Sequence, residues 1–264
     1  MRIGLIGLGA IGGEIARHAG EGRLGGGLEL AAVLVRRPRE TGGGPPVVTR
    51  CADFLAAAPE LVLECAGHAA LREHGETCLA AGADLLVTSA GALADDPLRE
   101  RLTAAARAAG RRLMIASAGI GALDILAGGA VGGLDRVRVT VAKDPSAWHG
   151  TPAAQAVDLA SLRSPAELYR GPVREGVLLY PQNVNIAAAA ALAGAGLDRT
   201  ELVILADPSL TRHVVRIEAE GAFGRFAFEE EIEPTAENPK TGRLVAMAVV
   251  KSLRQLAGSF VVGV

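Results

Sequence analysis

The chain has 264 residues and a formal net charge of -2 at pH 7, and only 3% of its residues are aromatic. This length suits one large domain or two medium-sized ones with a core of aliphatic side chains. The balanced charge gives no basic surface for nucleic acid, and the longest apolar run, residues 186–197, is too short to span a membrane. The chain begins directly with a strand pattern, which predicts a cytoplasmic protein without a signal or transit peptide. The cysteines, Cys51, Cys65 and Cys78, lack metal-type spacing, so we expect a reducing environment and no metal site.

The first half of the chain alternates short apolar runs with helical patterns. Strands are predicted at residues 2–9, 28–37, 61–67, 84–93 and 111–119, and helices at 10–20, 70–82 and 97–110. This alternation, with continuously apolar strands, predicts a parallel sheet of the Rossmann type, covered by helices on both faces. The segment "RETGGGPPVVT" is predicted to be a surface loop.

The pattern changes in the second half. A glycine-rich helix is predicted at 121–133 and a helix behind Pro181 in "PQNVNIAAAAALAG", while residues 135–145, 201–209 and 212–234 alternate polar and apolar residues as antiparallel strands do. The last helix, 243–258, is amphipathic and is expected to pack back onto the first domain. The predicted fold is therefore α/β, with a dinucleotide-binding domain at 1–118, to which 243–264 returns, and a smaller α+β substrate domain at 119–242.

A phosphate-binding loop is predicted between the first strand and the first helix. Gly7-Leu8-Gly9-Ala10-Ile11-Gly12 has the spacing GxGxxG. Gly7 permits the tight turn, Gly9 lets the backbone approach a pyrophosphate, and Gly12 lets the helix lie close to the strand. The N–H groups at the start of the helix, including those of Ala10 and Ile11, would face the anion.

The end of the second strand bears on the choice between NAD and NADP. An acidic residue there would hold the ribose of NAD, but the chain has Arg36 and Arg37 instead. Two guanidinium groups suit the 2′-phosphate of NADP, so NADP is favoured or at least accepted. The alternative is that both arginines are solvated side chains after a strand.

Three amide side chains, Gln182, Asn183 and Asn185, precede the alanine-rich helix. Of the two asparagines, at most one can cap this helix in the usual way. The other can point into a cleft, where a carboxamide donor and acceptor suit the nicotinamide amide.

Several segments together resemble the L-aspartate dehydrogenase family. They are "ECAGH", "SAGIGALDIL", "AKDPSAWHGTPA", "PQNVNIAAAAALAGAGLDRT", "ADPSLTRHVVRIEAEGAFG" and "ENPKTGRLVAMAV", in the family's order over nearly the whole chain. The resemblance implies that Asn183 contacts the nicotinamide cofactor and that His213 is catalytic. It also implies a cofactor contact from Ala118 or Gly119, because the family's Ser-Gly-Ala is replaced here by Ser-Ala-Gly.

The implied reaction is the oxidation of L-aspartate to iminoaspartate with NAD or NADP, and the expected assembly is a homodimer. Histidine titrates near neutrality and suits the proton transfer, although a strand histidine such as His213 could instead lie on a solvated face. Two substrate carboxylates call for cations, and Lys143 and Lys240 are the candidates, with solvated surface lysines as the alternative.

Two other functions remain open from the sequence. A homoserine-dehydrogenase-like or dihydrodipicolinate-reductase-like oxidoreductase shares the two-domain plan. A non-catalytic protein that senses NAD(P) would keep the glycine loop but would not need His213.

Overall fold

The computed structural model describes residues 1–39, 44–117, 121–181, 183–235, 238 and 241–262. The strands are β1 (Arg2–Ile6), β2 (Glu29–Leu34), β3 (Val47–Val48), β4 (Leu61–Glu64), β5 (Asp84–Val87), β6 (Leu113–Ile115), β7 (Leu134–Lys143), β8 (Ala166–Pro172), β9 (Thr200–Ala206), β10 (His213–Gly221) and β11 (Gly224–Ile232). The helices are α1 (Ala10–Gly20), α2 (Cys51–Ala56), α3 (His68–Ala80), α4 (Asp96–Ala108), α5 (Leu123–Gly132), α6 (Ala153–Ala156), α7 (Val173–Leu179), α8 (Asn185–Ala193) and α9 (Leu244–Ala257). They form two compact units, Met1–Ala118 with Val245–Val264, and Gly119–Leu244.

The first unit is built on a parallel sheet with the strand order β3-β2-β1-β4-β5-β6. Its central strands are buried along almost their whole length, as expected for strands covered on both faces. The predicted parallel sheet is therefore confirmed. The chain order reverses between β1 and β4, whose carboxyl ends meet at one edge, and ligands bind at such reversal points in open α/β sheets.

The prediction of a continuous surface loop at residues 39–49 is wrong in part. Val47 and Val48 form β3, which pairs in parallel with Val33 and Leu34 of β2. Two β-branched residues are enough to extend a sheet edge but too few to show a periodic pattern. Residues 40–43 of this segment lie outside the described residues.

The C-terminal helix α9 packs in the first unit, as predicted. Val249 and Leu253 are fully buried and belong to the same apolar cluster as Ile15 of α1. The guanidinium of Arg254 adds a polar contact, because its Nε donates a hydrogen bond of 3.0 Å to the carbonyl oxygen of Leu24. Among the helices that the structure describes, none has both the length and the apolar composition needed to cross a membrane.

The second unit is built on a mixed sheet with the order β11-β10-β7-β9-β8. The prediction that its strands are all antiparallel is wrong for one pair, because β7 and β9 run parallel. The connection between them carries β8, α7 and α8, and a parallel pair needs a crossover of this kind. The strand β8 and the helix α7 were not predicted, since residues 166–179 lack a clear period.

One face of this sheet is buried and the other is largely charged. On β10, Val215, Ile217 and Ala219 are buried, while the alternating Arg216 is exposed. The helix α5 contacts β10, and α8 contacts β7, so helices cover the apolar side. The period-two pattern in the sequence therefore reflects one covered face.

An acidic side chain, Glu230 of β11, interrupts the covered face. It lies opposite Val215 in the register of β10 and β11. Its Oε1 atom is buried and has no hydrogen-bond partner among the described residues. Burial raises the pKa of Glu230 from 4.5 to about 7.

We expect Glu230 to make the stability of the protein depend on pH. A carboxyl with a raised pKa in the folded state favours folding at low pH, and this contribution is lost as the pH rises from about 4.5 through about 7. Glu230→Gln should therefore match the wild type near pH 4.5 and be more stable at pH 8, by on the order of 1 kcal/mol after allowance for solvent screening. Urea unfolding at both pH values measures the difference, with the exposed Glu220→Gln as a control. A variant without a pH-dependent gain would contradict the assignment.

Candidate functional site

The glycine loop of the first unit has the geometry of a phosphate cradle. Gly7 has a φ of 97°, and a Cβ atom on Gly12 would lie 2.0 Å from the carbonyl oxygen of Gly7. Only glycine at position 12 therefore lets α1 start so close to β1. At Gly9, by contrast, no described atom other than those of Gly9 and its chain neighbours lies within 4 Å of the position of a Cβ, so the backbone there borders open space.

The start of α1 suits an anion. Gly9 is the N-cap residue, without a side-chain cap, and the first turn contains no acidic residue. The N–H groups of Ala10 and Ile11 have no acceptor within the helix, and the helix dipole adds partial positive charge. The loop and the helix start thus fit the pyrophosphate of a dinucleotide.

Arginines surround the neighbouring strand end. Arg36 and Arg37 are exposed directly after β2, next to the end of β1. A third arginine, Arg39, reaches the cradle itself, where its Nη1 atom donates a hydrogen bond of 3.2 Å to the carbonyl oxygen of Leu8. Sequence reasoning missed Arg39, although the string "RRPR" includes it.

In the second unit, His213 and Lys143 lie at adjacent strand ends. His213 begins β10, and the pairing of Val214 with Ala142 places it across from the end of β7, where Lys143 lies. Both belong to the covered face. His213 lies two residues before buried Val215 and therefore on the same side of β10, and the two residues are almost fully buried, with 7% of His213 and 4% of Lys143 exposed. The solvated-face alternative for His213 and the surface alternative for Lys143 are therefore wrong.

An aromatic ring accompanies the buried lysine. The Nζ atom of Lys143 lies 5.6 Å from the centroid of the Trp148 ring, and Trp148 is fully buried. A desolvated cation over a tryptophan face is stabilised by the ring quadrupole. The ring of Tyr180 packs edge-on against Trp148, with 5.8 Å between the two ring centroids. Sequence reasoning did not assign a role to Trp148, although it lies in the quoted segment "AKDPSAWHGTPA".

Asn183 is positioned by something other than helix capping. The N-cap residue of α8 is Val184, without a side-chain cap, so the predicted helix start at Pro181 is wrong. Asn183 is 6% exposed, and its Nδ2 atom donates a hydrogen bond of 3.3 Å to the carbonyl oxygen of Ala147. Its Oδ1 atom is buried and has no partner among the described residues. This leaves one amide acceptor available to a ligand.

The remaining predicted site residues lie outside the described part of the chain. They are Ala118, Gly119 and Lys240. Gln182, the first of the three amides, is also outside it.

The chain is similar to known proteins over its whole length. The profile described as "Aspartate dehydrogenase, C-terminal" matches residues 124–256, and the one described as "Homoserine dehydrogenase, NAD binding domain" matches residues 7–116. An L-aspartate dehydrogenase of Ruegeria pomeroyi is 42% identical over 258 residues, which cover 97% of this chain and 92% of that protein. One of Pseudomonas aeruginosa is 41% identical over 263 residues, 96% of each protein.

Solved structures share the fold. The crystal structure of aspartate dehydrogenase from Thermotoga maritima matches with a TM-score of 0.79 at 22% identity, covering 100% of this chain and 99% of that one. A dihydrodipicolinate reductase from Paenisporosarcina matches with a TM-score of 0.55 at 15% identity, covering 97% and 94%. These structures show the shared fold, while the profile and the full-length relatives confirm the family resemblance of the sequence. The first unit contains an NAD(P)-binding domain, and the chain belongs to the L-aspartate dehydrogenase family.

Proposed function

We propose that this chain catalyses the NAD(P)-dependent oxidation of L-aspartate to iminoaspartate, which hydrolyses to oxaloacetate and ammonia. Full-length relatives that carry the name L-aspartate dehydrogenase support this proposal. Iminoaspartate can also feed the synthesis of quinolinate and NAD. The burial of His213 and Lys143 side by side is the observation that carries the proposal, because ionisable groups gathered in a shielded place are typical of functional sites.

The two domains would divide the work. We propose that residues 1–118, with 243–264, bind the dinucleotide through the glycine loop, and that residues 119–242 bind and position the substrate. A bound nicotinamide coenzyme would supply the hydride acceptor for the hydrogen on the Cα atom of aspartate. The Oδ1 atom of Asn183, which has no partner among the described residues, suits the amide N–H of the nicotinamide, and we assign the other cofactor contact to Ala118 or Gly119, as the family resemblance implies.

The protein groups would supply proton transfer and charge. The α-ammonium of aspartate must lose a proton before hydride can leave, and His213 is placed to accept it as a general base. Lys143, held in a dry environment beside Trp148, would pair with a substrate carboxylate, and Lys240 is the second candidate for this role. Since charge pairs are stronger away from water, the buried Lys143 favours a substrate that carries a second carboxylate over L-alanine or L-homoserine.

Two other functions have less support. A homoserine-dehydrogenase-like enzyme would share the first domain, but residues 124–256 match the aspartate dehydrogenase profile. The likeness to dihydrodipicolinate reductase concerns the fold. A non-catalytic sensor of NAD(P) would give no reason for a buried histidine beside a buried lysine.

The proposed activity is tested with a substrate panel and a histidine variant. The wild type should reduce NAD⁺ or NADP⁺ with L-aspartate, and much more slowly with D-aspartate, L-homoserine or L-alanine. His213→Asn should lower kcat by about 10²- to 10⁴-fold, the usual contribution of general acid–base catalysis, with coenzyme affinity nearly unchanged. Steady-state kinetics and fluorescence titration measure the two quantities. His74→Asn, on α3, serves as the control, and an unchanged kcat in His213→Asn would contradict the assigned role.

The coenzyme preference is tested at the arginines after β2. A charge-assisted contact to the 2′-phosphate contributes about 1.5–3 kcal/mol, so replacing Arg36 and Arg37 by Ala should weaken NADP binding by roughly 10- to 100-fold and leave NAD binding nearly unchanged. Arg39→Ala should affect both coenzymes, because Arg39 contacts the cradle. The dissociation constants of NADPH and NADH, measured for each variant, show whether Arg36 and Arg37 recognise the 2′-phosphate. Equal losses for both coenzymes in the double variant would show that Arg36 and Arg37 do not recognise the phosphate.

We also propose that the chain forms a homodimer. The charged face of the second sheet carries both signs, as in Arg216 and Glu229, which pair within one chain at 3.7 Å, and two copies related by a twofold axis can extend such pairs across an interface. Light scattering after size-exclusion chromatography should give twice the chain mass, and Arg216→Glu should shift it toward the monomer. Arg101→Glu, on α4, is the control. A monomeric wild type would contradict the proposal.

A further inference from the structure

A buried carboxylate lies beside the glycine loop. Glu64 is the last residue of β4 and is fully buried. It is adjacent to Ile6 of β1 on one side and to Val87 of β5 on the other. Glutamate is almost never fully buried unless it is paired, so its surroundings must compensate for the loss of water.

Backbone N–H groups from two turns provide that compensation. The Oε1 atom of Glu64 accepts hydrogen bonds of 2.7 Å from the N–H groups of both Ala66 and Gly67. The Oε2 atom accepts one of 3.2 Å from the N–H group of Ser89. Burial raises the pKa of Glu64, whereas these N–H groups lower it and so favour the carboxylate. One side chain thus ties the turn after β4 to the turn after β5.

The backbone of Glu64 strengthens the same link. Its carbonyl oxygen accepts hydrogen bonds from the N–H group and from the hydroxyl of Thr88, at 3.1 and 3.0 Å. The side chain and the backbone carbonyl of Glu64 therefore both bind the turn at Thr88 and Ser89, which follows β5 directly.

The first of these turns contacts the glycine loop. A Cβ atom on Gly7 would lie 2.7 Å from the Cβ atom of Ala66, so the two residues are packed directly together. A shift of the turn at Ala66 would therefore move Gly7, which forms the tight bend of the cradle. The position of Glu64 is transmitted to the loop through this contact.

Glu64 also distinguishes the two helix N-termini at this edge of the sheet. The N-cap residue of α3, Gly67, has no capping side chain of its own, and Glu64 places a carboxylate at this helix start. The start of α1 has no acidic residue in its first turn. An anion such as a pyrophosphate is therefore repelled from α3 and attracted to α1.

From these contacts we propose that Glu64 is a positioning residue for the coenzyme, which ties the turn after β4 to the turn after β5, holds the turn after β4 against the glycine loop, and directs the coenzyme phosphates to α1. This inference rests on the proposed NAD(P)-dependent function. It concerns the binding of the coenzyme alone and makes no use of aspartate.

The test measures coenzyme affinity in variants of Glu64. Glu64→Gln keeps the shape of the side chain but turns one acceptor into an N–H₂ donor, which must then face a backbone N–H group. We expect this variant to weaken the binding of NADPH and of NADH by at least about tenfold, the change in affinity that corresponds to one lost hydrogen bond of a charged group. Both coenzymes should weaken by the same factor, because Glu64 contacts neither Arg36 nor Arg37. This separates its role from recognition of the 2′-phosphate.

Further measurements separate positioning from stability. Glu60→Gln is the control, because Glu60 lies immediately before the same strand, is exposed, and accepts a hydrogen bond from the N–H group of Arg2. Titrations are run well below the Tm of each variant, and the control should keep wild-type affinity even where its Tm falls. If Glu64→Gln does not fold, Glu64→Asp retains the charge on a shorter side chain and should show an intermediate loss of affinity.

Two results would overturn the proposal. In the first, a variant of Glu64 has a lowered Tm and unchanged coenzyme affinity, which would mean that the residue is structural only. In the second, the wild type itself binds neither coenzyme, which would also remove the proposed function. A wild type that binds coenzyme but does not oxidise aspartate would remove the proposed activity alone, and the affinity of the Glu64 variants would still decide this inference.

Discussion

The close approach of Gly12 to the carbonyl oxygen of Gly7 sets the arrangement of the first unit. Because position 12 has no side chain, α1 can begin at the carboxyl edge of β1 with its free N–H groups next to the open space at Gly9. Gly7 also packs directly against Ala66, in a turn whose conformation depends on Glu64. The missing side chain at Gly12 and the buried carboxylate of Glu64 therefore both determine where this loop lies.

In the second unit, the important feature is a pair of polar side chains at the end of an otherwise apolar sheet face. The covered face of β7 and β10 consists of valine, isoleucine and alanine until the row ends in Lys143 and His213. Burial of such groups opposes folding, and sites of this kind persist where chemistry requires them. Trp148 offsets part of the cost for Lys143 by presenting its ring to the ammonium group.

Much of this could be predicted from local sequence. The alternation of strand and helix patterns predicted the parallel sheet, and the amphipathic last helix was expected to pack on the first domain. The spacing of the glycines predicted the phosphate-binding loop. The family resemblance, and not periodicity, pointed to Asn183 and His213. The sequence could not show that His213 is buried, because strand alternation assigns a residue to a face but does not tell which face the helices cover. The burial of Asn183, which precedes α8, depends on its contact with the distant Ala147.

The parts that sequence reasoning missed depend on contacts between distant segments. In the sequence, Glu64 is only a residue at the end of a predicted apolar strand. Its role depends on the N–H groups of Ala66, Gly67 and Ser89, which come together only when the sheet has folded. Arg39 follows a proline after β2, and its contact with Leu8 depends on how that turn folds. The parallel pairing of β7 with β9 depends on a crossover whose elements have weak patterns.

The return of α9 to the first unit has a consequence for the order of folding. This unit is assembled from Met1–Ala118 and Val245–Val264, so its core contains side chains that precede the second unit in the sequence and side chains that follow it. During translation, the glycine loop and the whole of the second unit are synthesised and leave the ribosome before Val249 and Leu253 do. The first unit therefore cannot complete its core until α9 has been synthesised, although domains at the N-terminus usually fold first. The part of the protein that carries the glycine loop is finished only after the whole of the second unit has been made.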